Sequence, residues 1–196
     1  TDFSLISSSD TGAKGDSITD DQTPIFTGFA EAGSIVKLWD SNSILGQTNA
    51  DQHSGLWQIT SNQLSDGNYV LQSTSTGINN RESDKSDPLN LQIDTTDPTI
   101  SITSTDGVSG FTSYDNTIDL TFTASEEITD LTKDDITITG SGSIGDLTKN
   151  GNTYTTTFTS SGDGAKTISI NHGMFTDVAG NHNVASNSFS WTFNSD

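Results

Sequence analysis

Thr117-Ile118-Asp119-Leu120-Thr121-Phe122-Thr123-Ala124 alternates without a break. Ile118, Leu120, Phe122 and Ala124 share one face; Thr117, Asp119, Thr121 and Thr123 share the other. A period of two belongs to a strand, and one apolar face with one hydroxyl-lined face marks a sheet packed on one side only. Thr suits the wet face because its branched Cβ favours extended backbone while its hydroxyl stays solvated. The same arrangement recurs in Tyr154, Thr156 and Phe158 against Thr153, Thr155 and Thr157, and in Phe189, Trp191 and Phe193 against Ser188, Ser190 and Thr192.

Outward from these strands the chain is poor in apolar residues, at 29% of 196, yet only 17% of it is charged. Such poverty suits thin β-sandwiches whose few apolar residues are all in register, better than a disordered tail. Seven basic side chains against 26 acidic ones leave a net charge of −19. The basic residues are scattered singly, which argues against a nucleic-acid or anionic-membrane partner. Without Cys there is no disulfide, thiolate metal site or thiol nucleophile. No apolar run is long enough for a membrane-inserted helix and no signal-peptide pattern stands at Thr1, so the opening Thr1-Asp2-Phe3-Ser4 is expected to be a cut from something longer.

The first half carries strand candidates at Phe3 to Ile6, Pro24 to Phe29, Ser34 to Trp39, Ile44 to Thr48, Leu56 to Thr60, Tyr69 to Thr74 and Leu89 to Ile93. Turn formers separate them, as in Ser65-Asp66-Gly67-Asn68. Seven strands is the count an immunoglobulin-like sandwich needs. Asp94-Thr95-Thr96-Asp97-Pro98 then reads as a short extended linker. The expected architecture is all-β: two tandem Ig-like antiparallel β-sandwiches, residues 1–96 and 97–196. Phe26-Thr27-Gly28-Phe29-Ala30-Glu31 can be laid on Phe122-Thr123-Ala124-Ser125-Glu126 with one insertion, a weak repeat of about a hundred residues.

Specific runs carry a family resemblance. They are Asp10-Thr11-Gly12, Asp16-Ser17-Ile18-Thr19-Asp20, Thr23-Pro24, Ser54-Gly55-Leu56-Trp57, Leu64-Ser65-Asp66-Gly67-Asn68-Tyr69 and Ile93-Asp94-Thr95-Thr96-Asp97-Pro98. With these the first half resembles the bacterial Ig-like repeats of giant surface adhesins and biofilm-associated proteins, the RTX-adhesin extender type. The second half resembles a related bacterial Ig-like type through Thr121 to Glu126, Asp135-Ile136, Tyr154 and Thr176-Asp177-Val178-Ala179-Gly180-Asn181. The resemblance implies an extracellular, calcium-stiffened extender on a bacterial cell surface. In the first half Ser75-Thr76-Gly77-Ile78-Asn79-Asn80 is expected to stand opposite 176–181, with Thr76 in place of the Asp and Asn79 in place of the Gly. The calcium role of that loop is therefore not expected in the first half.

Fold topology places Asp10, Asp16 and Asp20 in the long first loop of the first sandwich, Asp94 and Asp97 in the linker, and Glu126, Asp177 and Asn181 in loops of the second. Carboxylates that converge repel, by roughly a kcal/mol per pair in water. A hard cation with six to eight oxygen ligands relieves this, and irregular cages of carboxylate and carbonyl suit Ca²⁺ better than Mg²⁺. These eight residues are the expected Ca²⁺ ligands, and none of the loops has EF-hand spacing.

Trp57, Trp191, Phe122 and Phe158 fall on core faces by alternation. Trp39 shares the outer face with Lys37; packing beneath a neighbouring loop is its ordinary role, stacking on a sugar the alternative. His53, His172 and His182 are isolated, and no Gly-x-Ser-x-Gly elbow occurs. The expected function is a calcium-stiffened stalk segment of a large bacterial surface adhesin, serving adhesion or biofilm formation. It is expected to be non-enzymatic and monomeric, with neighbouring Ig-like repeats of its own chain as partners, no nucleic acid and no membrane insertion. The alternatives are a glycan- or peptide-binding adhesion module, or accessory domains of a secreted enzyme.

Overall fold

The structure is a computed structural model that describes residues 2–129 and 131–196. The chain divides into two compact units, Thr1–Thr95 and Thr96–Asp196. Both are sandwiches of antiparallel strands with one parallel pair each, and each has its own hydrophobic core.

In the first unit the strands are β1 (Phe3–Leu5), β2 (Ile18–Thr19), β3 (Ile25–Phe29), β4 (Ile35–Asp40), β5 (Ser43–Asn49), β6 (Leu56–Thr60), β7 (Gly67–Thr76) and β8 (Leu89–Ile93). One sheet has the order β1-β3-β6, the other β2-β8-β7-β4-β5. The opening stretch thus switches sheets: β1 pairs antiparallel with β3, whereas β2 pairs parallel with the last strand, β8. Inward alternation puts Phe26, Val36, Leu38, Trp57, Leu71 and Ile93 in the core. Each such side chain contributes about 1.5–3 kcal/mol by leaving water. Gly28 sits in the middle of β3 for a steric reason: a Cβ there would come within 2.7 Å of the Trp57 ring and 2.8 Å of the Asp2 carbonyl. β2 was not foreseen, because two residues give no alternation to detect.

The second unit holds β9 (Ile100–Ser104), β10 (Phe111–Ser113), β11 (Thr117–Ala124), β12 (Ile136–Thr139), β13 (Gly142–Ile144), β14 (Thr148–Asn150), β15 (Thr153–Ser160), β16 (Gly164–Ile170) and β17 (Phe189–Phe193). One sheet runs β10-β17-β16-β12; the other runs β13-β15-β11-β9, with β14 also on β15. Here too the β10 stretch pairs parallel with the final strand. The alternating face of β11 is buried as its sequence demands, and its Thr face pairs across the ladder as Thr121 opposite Thr155 and Thr123 opposite Thr153. Trp191 is fully buried and meets Phe158 edge-on, with centroids 5.8 Å apart. The helical content described is one 3-10 turn, Lys133–Asp135, and no helix is long and apolar enough to cross a membrane.

Candidate metal centre

The loop that follows β16 is shaped by its own side chains. Asn183 is fully buried; its carbonyl oxygen accepts the Met174 and Phe175 N–H groups, and its amide donates to the Asn171 and Val184 carbonyls. Thr176 bridges to His182, closing a tight excursion over 177–181, and Gly180 turns it at φ 105°, where a side chain would be strained. Inside this excursion Asp177 is also fully buried. Its Oδ1 accepts the N–H groups of Gly180 (2.7 Å) and Asn181 (2.9 Å), and its Oδ2 accepts the Asn181 side-chain amide at 2.9 Å. These donors account for a buried carboxylate that would otherwise be costly. An antiparallel bridge to Ile128 and the Thr129–Thr176 bonds pin the loop beside the strand-β11 exit, where Glu126 stands half-buried.

Within the second unit, one carboxylate oxygen of Glu126 lies within 4.8 Å of one of Asp177. A Ca²⁺ ion holds its oxygens at about 2.3–2.6 Å, so two ligands of one ion lie no more than roughly 5 Å apart. The spacing of this pair meets that limit, and both donors are hard oxygens. Two negative charges at this separation repel by roughly 1–4 kcal/mol, depending on exposure.

Of the other expected ligands, Asn181 is buried against Asp177 and orients it through the amide bond above. Asp97 is exposed, and Asp94 is half-buried just after β8. Asp10, Asp16 and Asp20 are used locally in the first unit. Asp10 is buried and accepts the Gly15 N–H through Oδ2, while its Oδ1 is enclosed without a partner. Asp16 caps Ile18 N–H, and the Asp20 N–H goes to the Thr11 hydroxyl. The three were expected in one loop, but β2 intervenes between Asp16 and Asp20.

The loops of the two halves correspond with a shift of one residue from the expected pairing. Thr76 bridges to Glu82 just as Thr176 bridges to His182, and Asn80 takes a left-handed φ of 56° where Gly180 has 105°. Asp177 therefore corresponds to Gly77, not Thr76, and Asn181 to Arg81. The first half still lacks the carboxylate. A Cβ on Gly77 would fall 2.4 Å from Glu31 Oε2, and Arg81 lines the same cavity. β7 runs on to Thr76, so the loop of the first half begins one residue later than the local sequence suggests.

Two family models match the chain, each described as a bacterial Ig-like domain, one over residues 1–95 and the other over 94–193. The chain belongs to the bacterial Ig-like domain family. The Glu126–Asp177 pair falls within the second match of this bacterial Ig-like chain. Among solved structures it is similar to the fibronectin(III)-like modules of Clostridium thermocellum CbhA, at 14% identity and a TM-score of 0.44, covering 98% of this chain and 94% of that one. It is also similar to InvD of Yersinia pseudotuberculosis (17%, TM-score 0.42, 97% of this chain and 58% of that one). A third likeness is to a BSP domain of a biofilm-associated protein (14%, TM-score 0.29, 90% of this chain and 28% of that one). The comparison with curated proteins finds no match.

Proposed function

We propose that the chain is a calcium-stiffened extender segment of a large bacterial cell-surface adhesin, supporting adhesion or biofilm formation. Membership of the bacterial Ig-like family supports the coarser part of this reading, a non-catalytic surface or extender module. The observation that carries the finer part is the Glu126–Asp177 pair of the second unit, with Asp177 a buried, pre-oriented carboxylate. In this proposal these two residues hold the cation, and Asp94, the ligand expected from the sequence, completes the set. Asn181 fixes the Asp177 carboxylate, and Gly180 lets the backbone turn closely enough to cap it. Bound there, Ca²⁺ would supply the positive charge that cancels the mutual repulsion of the carboxylates. Asp94 directly follows β8 and opens the linker Asp94 to Pro98, so holding it would also restrain the linker.

Thermal melts in millimolar Ca²⁺, in Mg²⁺ and in chelator test the proposal. At a hundredfold excess over Kd a single site contributes about 2.7 kcal/mol, or roughly 10–20 °C for a domain of this size. The expected result is a Ca²⁺-specific rise of that order, absent in Asp94→Asn and Glu126→Gln. An unchanged melt, or an equal rise with Mg²⁺, overturns it.

A further inference from the structure

We infer that the cavity beside Trp39 in the first unit is a binding subsite for a neutral sugar ring, a pyranose. Val36 and Leu38 are fully buried, so the alternation of β4 turns Lys37 and Trp39 outward, and Trp39 is half-buried. Its indole is held in place before any ligand arrives. The indole N–H donates to Thr74 Oγ1 (2.9 Å), and that hydroxyl, on a buried residue, donates to Glu82 Oε1 (2.7 Å). Lys37 donates to the same Glu82 oxygen at 3.3 Å. The Thr74 hydroxyl, with help from the Lys37 ammonium and against some desolvation, keeps the Glu82 carboxyl below its usual range, so the chain of bonds is made to a charged acceptor. A locked aromatic ring spares a ligand the entropy of ordering it.

The cavity has a volume of about 430 Å³, and Trp39, Asn42, Glu82, Asp84 and Lys85 are among its lining. That size suits a small-ligand site. Asn42 and Asp84 are exposed, and among the described residues their side chains bond to no other group of the chain. A carboxylate accepts from two neighbouring hydroxyls, a carboxamide both donates and accepts, and an indole face packs against the C–H face of a pyranose. Two ammonium groups, Lys37 and Lys85, stand over the Trp39 ring at 5.5 and 5.6 Å from its centroid, so a sugar that stacks there displaces at least one of these flexible side chains. The lining itself carries Glu82 and Asp84 against Lys85, one net negative charge, which disfavours a polyanion. A peptide strand is disfavoured too, because β4 is paired on both sides, with β5 and β7, and offers no backbone groups.

NMR titration of the ¹⁵N-labelled chain with maltotriose, cellotriose and mannotriose tests this, with trigalacturonate as the anionic probe. A single subsite of this kind binds at about millimolar Kd. The expected result is saturable movement of the Trp39 indole N–H by at least one neutral trisaccharide, with the buried Trp57 and Trp191 indoles unmoved. Asp84→Ala and Asn42→Ala, both exposed positions, should weaken binding about fivefold or more while leaving the fold intact. No saturation up to roughly 50 mM, binding unchanged in both variants, or binding of trigalacturonate alone overturns the inference. None of these readouts depends on calcium, so this inference and the calcium proposal fail separately.

Discussion

Asp177 has two roles that substitution can separate: it caps its own loop, and it places a carboxylate beside Glu126. Asp177→Ala leaves the Gly180 and Asn181 N–H groups unanswered and should cost about 3 kcal/mol in chelator by urea denaturation. Asp177→Asn keeps an accepting oxygen, and Asn181 can turn its amide to suit. It should stay within about 1 kcal/mol of the wild type in chelator, yet lose the calcium increment. A second residue-scale test concerns Asp51 at the turn before β6. The Ser54 N–H, then the Ser54 hydroxyl, then the His53 N–H hold its carboxyl below the usual range. A carboxyl depressed in the folded state stabilises the fold above its unfolded value and loses that contribution as pH falls through the folded one. A ¹³C titration should place its midpoint below about 3.9, and Ser54→Ala should raise the midpoint part of the way back. Which carboxylates would converge was legible only in part. The 176–181 loop announced Asp177 by its turn residues, and Glu126 was expected from the loop after β11, but that Asp177 is wholly buried and capped by its own loop depends on the folded turn, which no local pattern encodes.

At the scale of the element, legibility followed the length of the alternating run. β11, β15 and β17 were plain because four or more residues of each alternate, whereas β2 has two residues and β10, β13 and β14 three each. β16 hides for another reason: its inward face reads Lys166, Ile168, Ile170. Lys166 is fully buried, its ammonium bonded to the Gly162 (2.8 Å), Asp163 (3.4 Å) and Gly164 (2.9 Å) carbonyls of the turn from β15. A lysine on a core face breaks the pattern that identifies strands, and only the folded turn explains it. Lys166→Ala should cost about 3 kcal/mol through lost packing and unmet carbonyls, and Lys166→Met less, because its stem still fills the space. Gly28→Ala should cost about 2 kcal/mol, since the Trp57 ring and the Asp2 carbonyl leave no room for a methyl. Urea melts measure all three.

At the scale of the whole molecule, a net charge of −19 sets the background against which calcium acts. Like charges spread over the surface oppose the compact state, and simple salt screens them. Raising monovalent salt should therefore raise the melting temperature modestly in chelator, and this gain must be held constant when calcium is added. The most direct test is a calorimetric titration of Ca²⁺ into the 196-residue chain at fixed ionic strength, with Mg²⁺ at equal concentration as reference. The account predicts saturable Ca²⁺ binding that Mg²⁺ does not reproduce and that Asp94→Asn or Glu126→Gln each weakens about tenfold or more. Equal heats for the two ions, or Ca²⁺ binding indifferent to both substitutions, would contradict it.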